Sequence, residues 1–147
     1  MELFKISIFE KEFSKKFPVF KTLSIEMSKA FIEKLSQLYR LNISNFREVQ
    51  EVGQTVVKMD ATAKEFSPSA LFSPLQQPNH IIVIWSHECP MDVFHYQDFC
   101  DYFEYIWYPS SDDILITNEF LDKLFLIRHD GIIYQLSLPK GSFQNNS

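Results

Sequence analysis

The chain has 147 residues, 46% hydrophobic and 22% charged, with a formal net charge of −5; this matches one domain with its own core and excludes wholesale disorder. Three glycines leave little room for phosphate-cradling loops, and two cysteines, Cys89 and Cys100, cannot make a disulfide framework, so free thiols in a reducing cytoplasm are expected. The longest apolar run, Ile81–Trp85, is strand-sized, far below the roughly 20 residues of a membrane helix, and Glu10, Lys11 and Glu12 interrupt the apolar start before a signal-peptide core forms.

Taken in chain order, Phe4, Ile6 and Ile8 alternate with polar residues, and Phe9, Phe13 and Phe17 then recur every four residues until Pro18. The stretch reads either as a strand followed by a helix or as one helix. Thr22 or Ser24 caps the next helix, whose stripe is Ile25, Phe31, Ile32, Leu35, Leu38 and Tyr39, closed by Asn42. Asn45-Phe46-Arg47-Glu48 reads as a capping box opening another helix, with Phe46, Val49, Val52, Val56 and Met59 inward. Gly53 weakens that helix, so Thr55–Met59 could instead be a strand.

Residues 60–79, with Pro68, Pro74 and Pro78, read as a long loop, mobile or functional. Ile81–Trp85 is apolar on both faces and is therefore expected at the centre of a sheet. Asp92 to Phe103 reads as a helix capped by Asp92, with Phe99, Tyr102 and Phe103 inward. Tyr105–Tyr108 reads as a strand, Pro109–Asp113 as a turn and Ile114–Thr117 as the returning strand. Leu124–Ile127 and Ile132–Leu136 flank His129-Asp130-Gly131, a hairpin signal. Residues 141–147 read as a frayed polar tail. Helices first and an antiparallel meander afterwards give an α+β domain over 1–147, with N-terminal helices packed on one face of a four- to five-stranded, mostly antiparallel sheet.

Charge is segregated along the chain. Between Glu65 and Asp122 there is no lysine or arginine, yet there are ten acidic residues and twelve aromatics. The first sixty-four residues carry eleven basic and eight acidic side chains, and the last twenty-five carry three and one. Asp98-Phe99-Cys100-Asp101-Tyr102-Phe103-Glu104-Tyr105 interleaves aromatics with acids, the inverse of a phosphate-binding surface, so nucleic acid is disfavoured. A basic protein partner suits it better, with acids speeding encounter and aromatics acting as anchors. The alternative is that half of the aromatics are core and the acids a solvated face. The residues assigned to such a surface are Asp98, Asp101, Glu104, Asp112 and Asp113, with Tyr105 and Trp107 as anchors. Lys11, Lys15, Lys16 and Lys21, mixed with Glu10 and Glu12, read as a solvated helix face.

His87, Cys89, His95 and Cys100 are the one set resembling metal ligands or a thiolate pair, and their spacing matches no zinc knuckle. Ser110-Ser111-Asp112-Asp113 beside His129 could be a hydrolase set, although a turn explains the same residues. No catalytic residue and no cofactor is assigned.

The segment from Trp107 to Ile116 (Trp-Tyr-Pro-Ser-Ser-Asp-Asp-Ile-Leu-Ile), followed by Leu124–Ile127, His129, Gly131 and Ile132–Tyr134, resembles small uncharacterised bacterial proteins. Some of their relatives are immunity proteins beside secreted polymorphic toxins. The resemblance covers about thirty residues of the C-terminal third and implies an intracellular, antitoxin-like binder without catalytic residues. The expected function is thus a non-enzymatic, cytoplasmic protein-binding module that blocks a toxin. The alternatives are a metal-binding protein or enzyme built on His87, Cys89, His95 and Cys100, and a self-associating structural or phage-derived subunit.

Overall fold

The computed structural model describes residues 1–19, 21–72, 77–86 and 90–139. The expected tail, His87, Cys89 and part of the 60–79 loop lie outside them. The element order is α1 (Leu3–Phe13), β1 (Lys21–Thr22), α2 (Ile25–Tyr39), α3 (Phe46–Val52), β2 (Gln54–Thr55), a 3-10 turn (Pro68–Leu71), β3 (His80–Trp85), β4 (Asp92–His95), α4 (Tyr96–Asp101), α5 (Phe103–Ile106), β5 (Ile114–Asn118), β6 (Lys123–Ile127) and β7 (Ile133–Ser137). Among the described residues, no helix is long and apolar enough to cross a membrane.

The fold is α+β, and the strands form one antiparallel sheet in the order β1-β4-β3-β5-β6-β7-β2. Seven strands replace the expected four or five because two-residue pairings close each edge: Lys21–Thr22 on β4 and Gln54–Thr55 on β7. Such short edges offer little backbone to another chain.

The helices do not share one face, which corrects the expected layering. Ile81, Val83, Ile114, Ile116, Phe125 and Ile127 point to one side, where Phe9 of α1 and Phe99, Phe103 and Ile106 of α4 and α5 cover them. Ile84, Leu115, Leu124, Leu126 and Leu136 point to the other, against Leu35 and Tyr39 of α2 and Val49 of α3. The reason lies in the strands. β3, β5 and β6 are apolar on both faces, and alternating side chains send half of that surface each way, so both sides need a cover.

Local signals explain several elements. Ser24 caps α2 by accepting from Met27 N, and Asn45 caps α3 by accepting from Arg47 N and Glu48 N. Glu48 does not reach back to Asn45 but takes the Asn42 N–H (3.2 Å). Gly53 ends α3, and β2 follows at once. The first segment is a helix, with Lys5 and Phe9 as its buried residues. The loop after Asp60 is anchored through buried Pro68, Leu71 and Phe72. The β6–β7 hairpin turns at Gly131, whose φ of 92° is left-handed and natural only for glycine.

Asp92 to Phe103 is helical from Tyr96, with Phe99 and Phe103 buried as expected, but not at its start. Asp92 heads strand β4, not a helix, and its register places Phe94 opposite Ile81. The residues expected as a strand from Tyr105 begin instead within helix α5. Phe99 and Phe103 recur at helical spacing and bury together, their ring centroids 5.5 Å apart, so packing overrides the strand preference of the following aromatics.

Candidate functional site

Two buried carboxylates organise the α1 side of the sheet. The Tyr108–Asp112 turn closes by the Asp112 N–H donating to the Tyr108 carbonyl (3.0 Å). It swings the Asp112 side chain inward, where one carboxylate oxygen accepts the Tyr108 N–H (2.8 Å) and the Lys5 ammonium (2.6 Å). Lys5 also donates to the Ile106 carbonyl (2.9 Å) and lies 4.6 Å from the Trp85 ring centroid. The Trp107 indole N–H donates to the Asp112 carbonyl (3.0 Å). Asp92 is built similarly. It accepts from Thr22 Oγ1 (2.6 Å), Trp85 Nε1 (3.0 Å) and the Met1 α-amino group (2.6 Å). Buried charge is tolerable only when paired and hydrogen-bonded, and both carboxylates meet that condition.

Two assigned surface residues are therefore internal. Asp112 is 2% exposed and Trp107 3%, so neither can meet a partner. A lysine from the front of the chain neutralises Asp112. Asp113 is half-exposed elsewhere, at the β6–β7 hairpin, where it accepts the His129 N–H (2.7 Å) and pairs with its ring Nδ1 (2.9 Å).

Four of the assigned residues do share one region. Asp98 and Asp101 lie one turn apart on α4, with Glu104 and Tyr105 following in α5. Asp101 and Glu104 are exposed, and Asp98 and Tyr105 half-buried. Among the described residues, no cation lies within ion-pair distance of these three carboxylates; the amide of Gln97 donates to Asp101 (2.8 Å), and Lys15 spends its ammonium on the Tyr102 hydroxyl (2.8 Å). The nearby carboxylate of Glu12 on α1, with burial and Glu104, holds the pKa of the Tyr105 phenol above the usual value.

Beside them lies a surface that the sequence did not reveal. Leu3 is 80% exposed, Phe4 47% and Ile8 46%. Phe4, Ile8 and Glu12 form one i, i+4 row on α1, and Phe4 packs edge-on against Tyr108, centroids 5.7 Å apart. The i, i+4 spacing was the available signal; the Phe4-Ile6-Ile8 alternation obscured it.

The metal and nucleophile candidates gain no support. Among the described residues, no three His, Cys, Asp or Glu side chains could hold a metal ion. His95 is exposed at the start of α4, its ring 5.4 Å from that of His80. Burial pushes the Cys100 thiol up to about 11, so it stays protonated and is a poor nucleophile at neutral pH. The Ser111 hydroxyl turns to the Tyr108 carbonyl (3.4 Å) while His129 faces Asp113. That is turn chemistry, not a Ser–His pair.

On the opposite side of the sheet, a cavity of about 590 Å³ opens between α2, the start of α3 and the end of β3. Its walls include Ile32, Phe46, Ile84, Trp85 and Met91, with Ser28 and Lys29. Comparison with family models, curated proteins and solved structures finds no match to this chain.

Proposed function

We propose that the protein is a non-enzymatic binding module for a basic protein, a toxin in the immunity reading that the C-terminal third suggests. The surface is the α1–α4–α5 face. One observation carries the proposal: exposed Leu3, Phe4 and Ile8 lie on α1, where Phe4 packs against Tyr108 just beyond α5 and its exposed carboxylate Glu104. An apolar centre excludes water and supplies affinity, while surrounding carboxylates steer a cationic partner and set its register. Asp98, Asp101, Glu104 and Tyr105 keep their assigned role; Phe4 and Ile8 replace Trp107 and Asp112 as the central contacts.

The test uses the product of the adjacent gene as probe, since an immunity protein is encoded beside its toxin. Calorimetry between about 50 and about 500 mM salt should show affinity falling with ionic strength. The double variant Asp101→Lys, Glu104→Lys should weaken binding at least about tenfold and flatten that dependence. Phe4→Ser should weaken it with the salt dependence intact. Binding indifferent to salt and to all three changes overturns the proposal. Concentration-dependent sedimentation abolished by Phe4→Ser would instead assign the face to a second copy of the chain.

A further inference from the structure

We infer that His80 and His95 form a site for a divalent late first-row metal ion such as zinc, with Glu119 orienting His80. The inference does not rest on the protein-binding face. Antiparallel pairing sets His80 of β3 directly opposite His95 of β4. The β3–β5 register places Ile81 opposite Asn118, so Glu119, one position on, meets His80 from its other flank. Ile81 and Phe94 point to the α1 side, and alternation therefore sends His80 and His95 to the opposite side of the sheet.

The spacing of the rings suits one shared ion. The Tyr96 N–H donates to the Asn79 carbonyl (2.8 Å), which makes Asn79 and Tyr96 a hydrogen-bonded pair. The adjacent His80 and His95 are then a non-hydrogen-bonded pair, where cross-strand side chains stand closest. Their ring centroids are 5.4 Å apart. Two imidazoles on one tetrahedral ion, each bonded at about 2.0–2.1 Å, hold their centroids about 5 Å apart.

Glu119 sets the tautomer of His80. One of its oxygens accepts the His80 backbone N–H (2.9 Å) and lies 3.2 Å from the ring Nδ1, while the other accepts the Asn79 N–H (2.9 Å). An ionised carboxylate can only accept, so in the neutral ring Nδ1 carries the proton and Nε2 the lone pair. A carboxylate behind a ligating imidazole fixes its orientation and raises its basicity. Imidazole nitrogen suits zinc, copper and nickel. Among the described residues no three side chains could hold an ion, so two rings bind it and water, reached past exposed His95, completes the shell.

Zinc chloride is the probe, titrated by calorimetry into the full chain after dialysis against a chelator. One ion should bind per chain with a Kd below about 100 µM at neutral pH. Affinity should fall on acidification, because protons compete for Nε2. His80→Ala and His95→Ala should each lower affinity at least about tenfold, and Glu119→Gln about tenfold, with far-UV circular dichroism unchanged. In imidazole nitrogen NMR spectra, zinc should shift Nε2 of His80 while Nδ1 stays protonated. Cys89→Ser, which removes a competing thiol, should change nothing. The inference is overturned if zinc fails to bind at about 100 µM, if any of the three site variants keeps full affinity, or if Cys89→Ser abolishes binding.

Discussion

Lys5→Met isolates the charge that holds α1 to the sheet. Lys5 is 0% exposed and Asp112 2%, and methionine keeps much of the apolar stem, so lost packing contributes little. Without the ammonium, the Asp112 carboxylate stays buried with the Tyr108 N–H as its remaining donor among the described residues (2.8 Å). Removing one member of a buried pair costs about 3–5 kcal/mol, against the roughly 5–15 kcal/mol of a whole domain. Asp112→Asn should cost a similar amount, because it leaves Lys5 charged and buried. The double variant removes both charges, so its cost should fall short of the sum by about 0.5–3 kcal/mol. Glu2, 3.6 Å from Lys5 with its side chain 35% exposed, is the control; Glu2→Gln should cost less than about 1 kcal/mol. Urea unfolding followed by circular dichroism measures all four, with unchanged denaturant slopes showing that the native fold is kept. A Lys5→Met cost below about 1 kcal/mol, or singles that simply add, would refute the reasoning.

Alkaline pH should unfold the protein early. Burial raises Cys100 to about 11 and Tyr96 to about 12, and lifts Tyr39 as well. The folded state then keeps protons that the unfolded chain releases from about pH 9 upward. This contribution is complete below pH 9 and is lost as pH rises toward 12. Urea midpoints should therefore fall steadily above pH 9, with buried phenols appearing in the ultraviolet only on unfolding; flat midpoints would contradict the burial. Gly131→Ala should cost about 1–3 kcal/mol, since φ is 92° and the new methyl would meet Asp60 Oδ1 and lie 2.9 Å from Thr62 Cγ2; a neutral result in thermal melts would refute this. Ser24→Ala should cost about 1 kcal/mol by removing the cap on Met27 N, read in the same melts.

What could be read from the sequence was local. Ser24, Asn45 and the Gly131 turn announce themselves because cap and turn chemistry acts within three or four residues. Ile81–Trp85 reads as a central strand because it is apolar on both faces, and the same fact implies two helical layers. What could not be read was remote. Lys5 and Asp112 are 107 positions apart, and nothing in either neighbourhood marks one as the other's partner. Asp92 resembles a helix cap, yet Thr22, Trp85 and Met1 converge on it only after the sheet assembles. The surface was half legible for the same reason: Asp98, Asp101 and Glu104 share a helical region, while the turn over Pro109–Asp113 was legible but not that Asp112 and Trp107 point inward from it.

The charge segregation accordingly has an internal cause for two of its acids. Asp92 and Asp112 belong to the ten acids of the lysine-free middle, but their donors come from the front of the chain as well as from their own surroundings. For these two, the excess of acid in one segment and base in another is internal pairing, joining the first helix to a sheet assembled from later residues. Such pairing cannot explain Asp98, Asp101 and Glu104, which have no cation within ion-pair distance among the described residues. Exposed carboxylates cost little in water, so stability does not require their counterions. A basic partner would supply those counterions from outside. The Lys5→Met and Asp101→Lys, Glu104→Lys variants therefore should separate cleanly: the first lowers the unfolding free energy, and the second leaves it within about 0.5 kcal/mol while weakening the partner's grip.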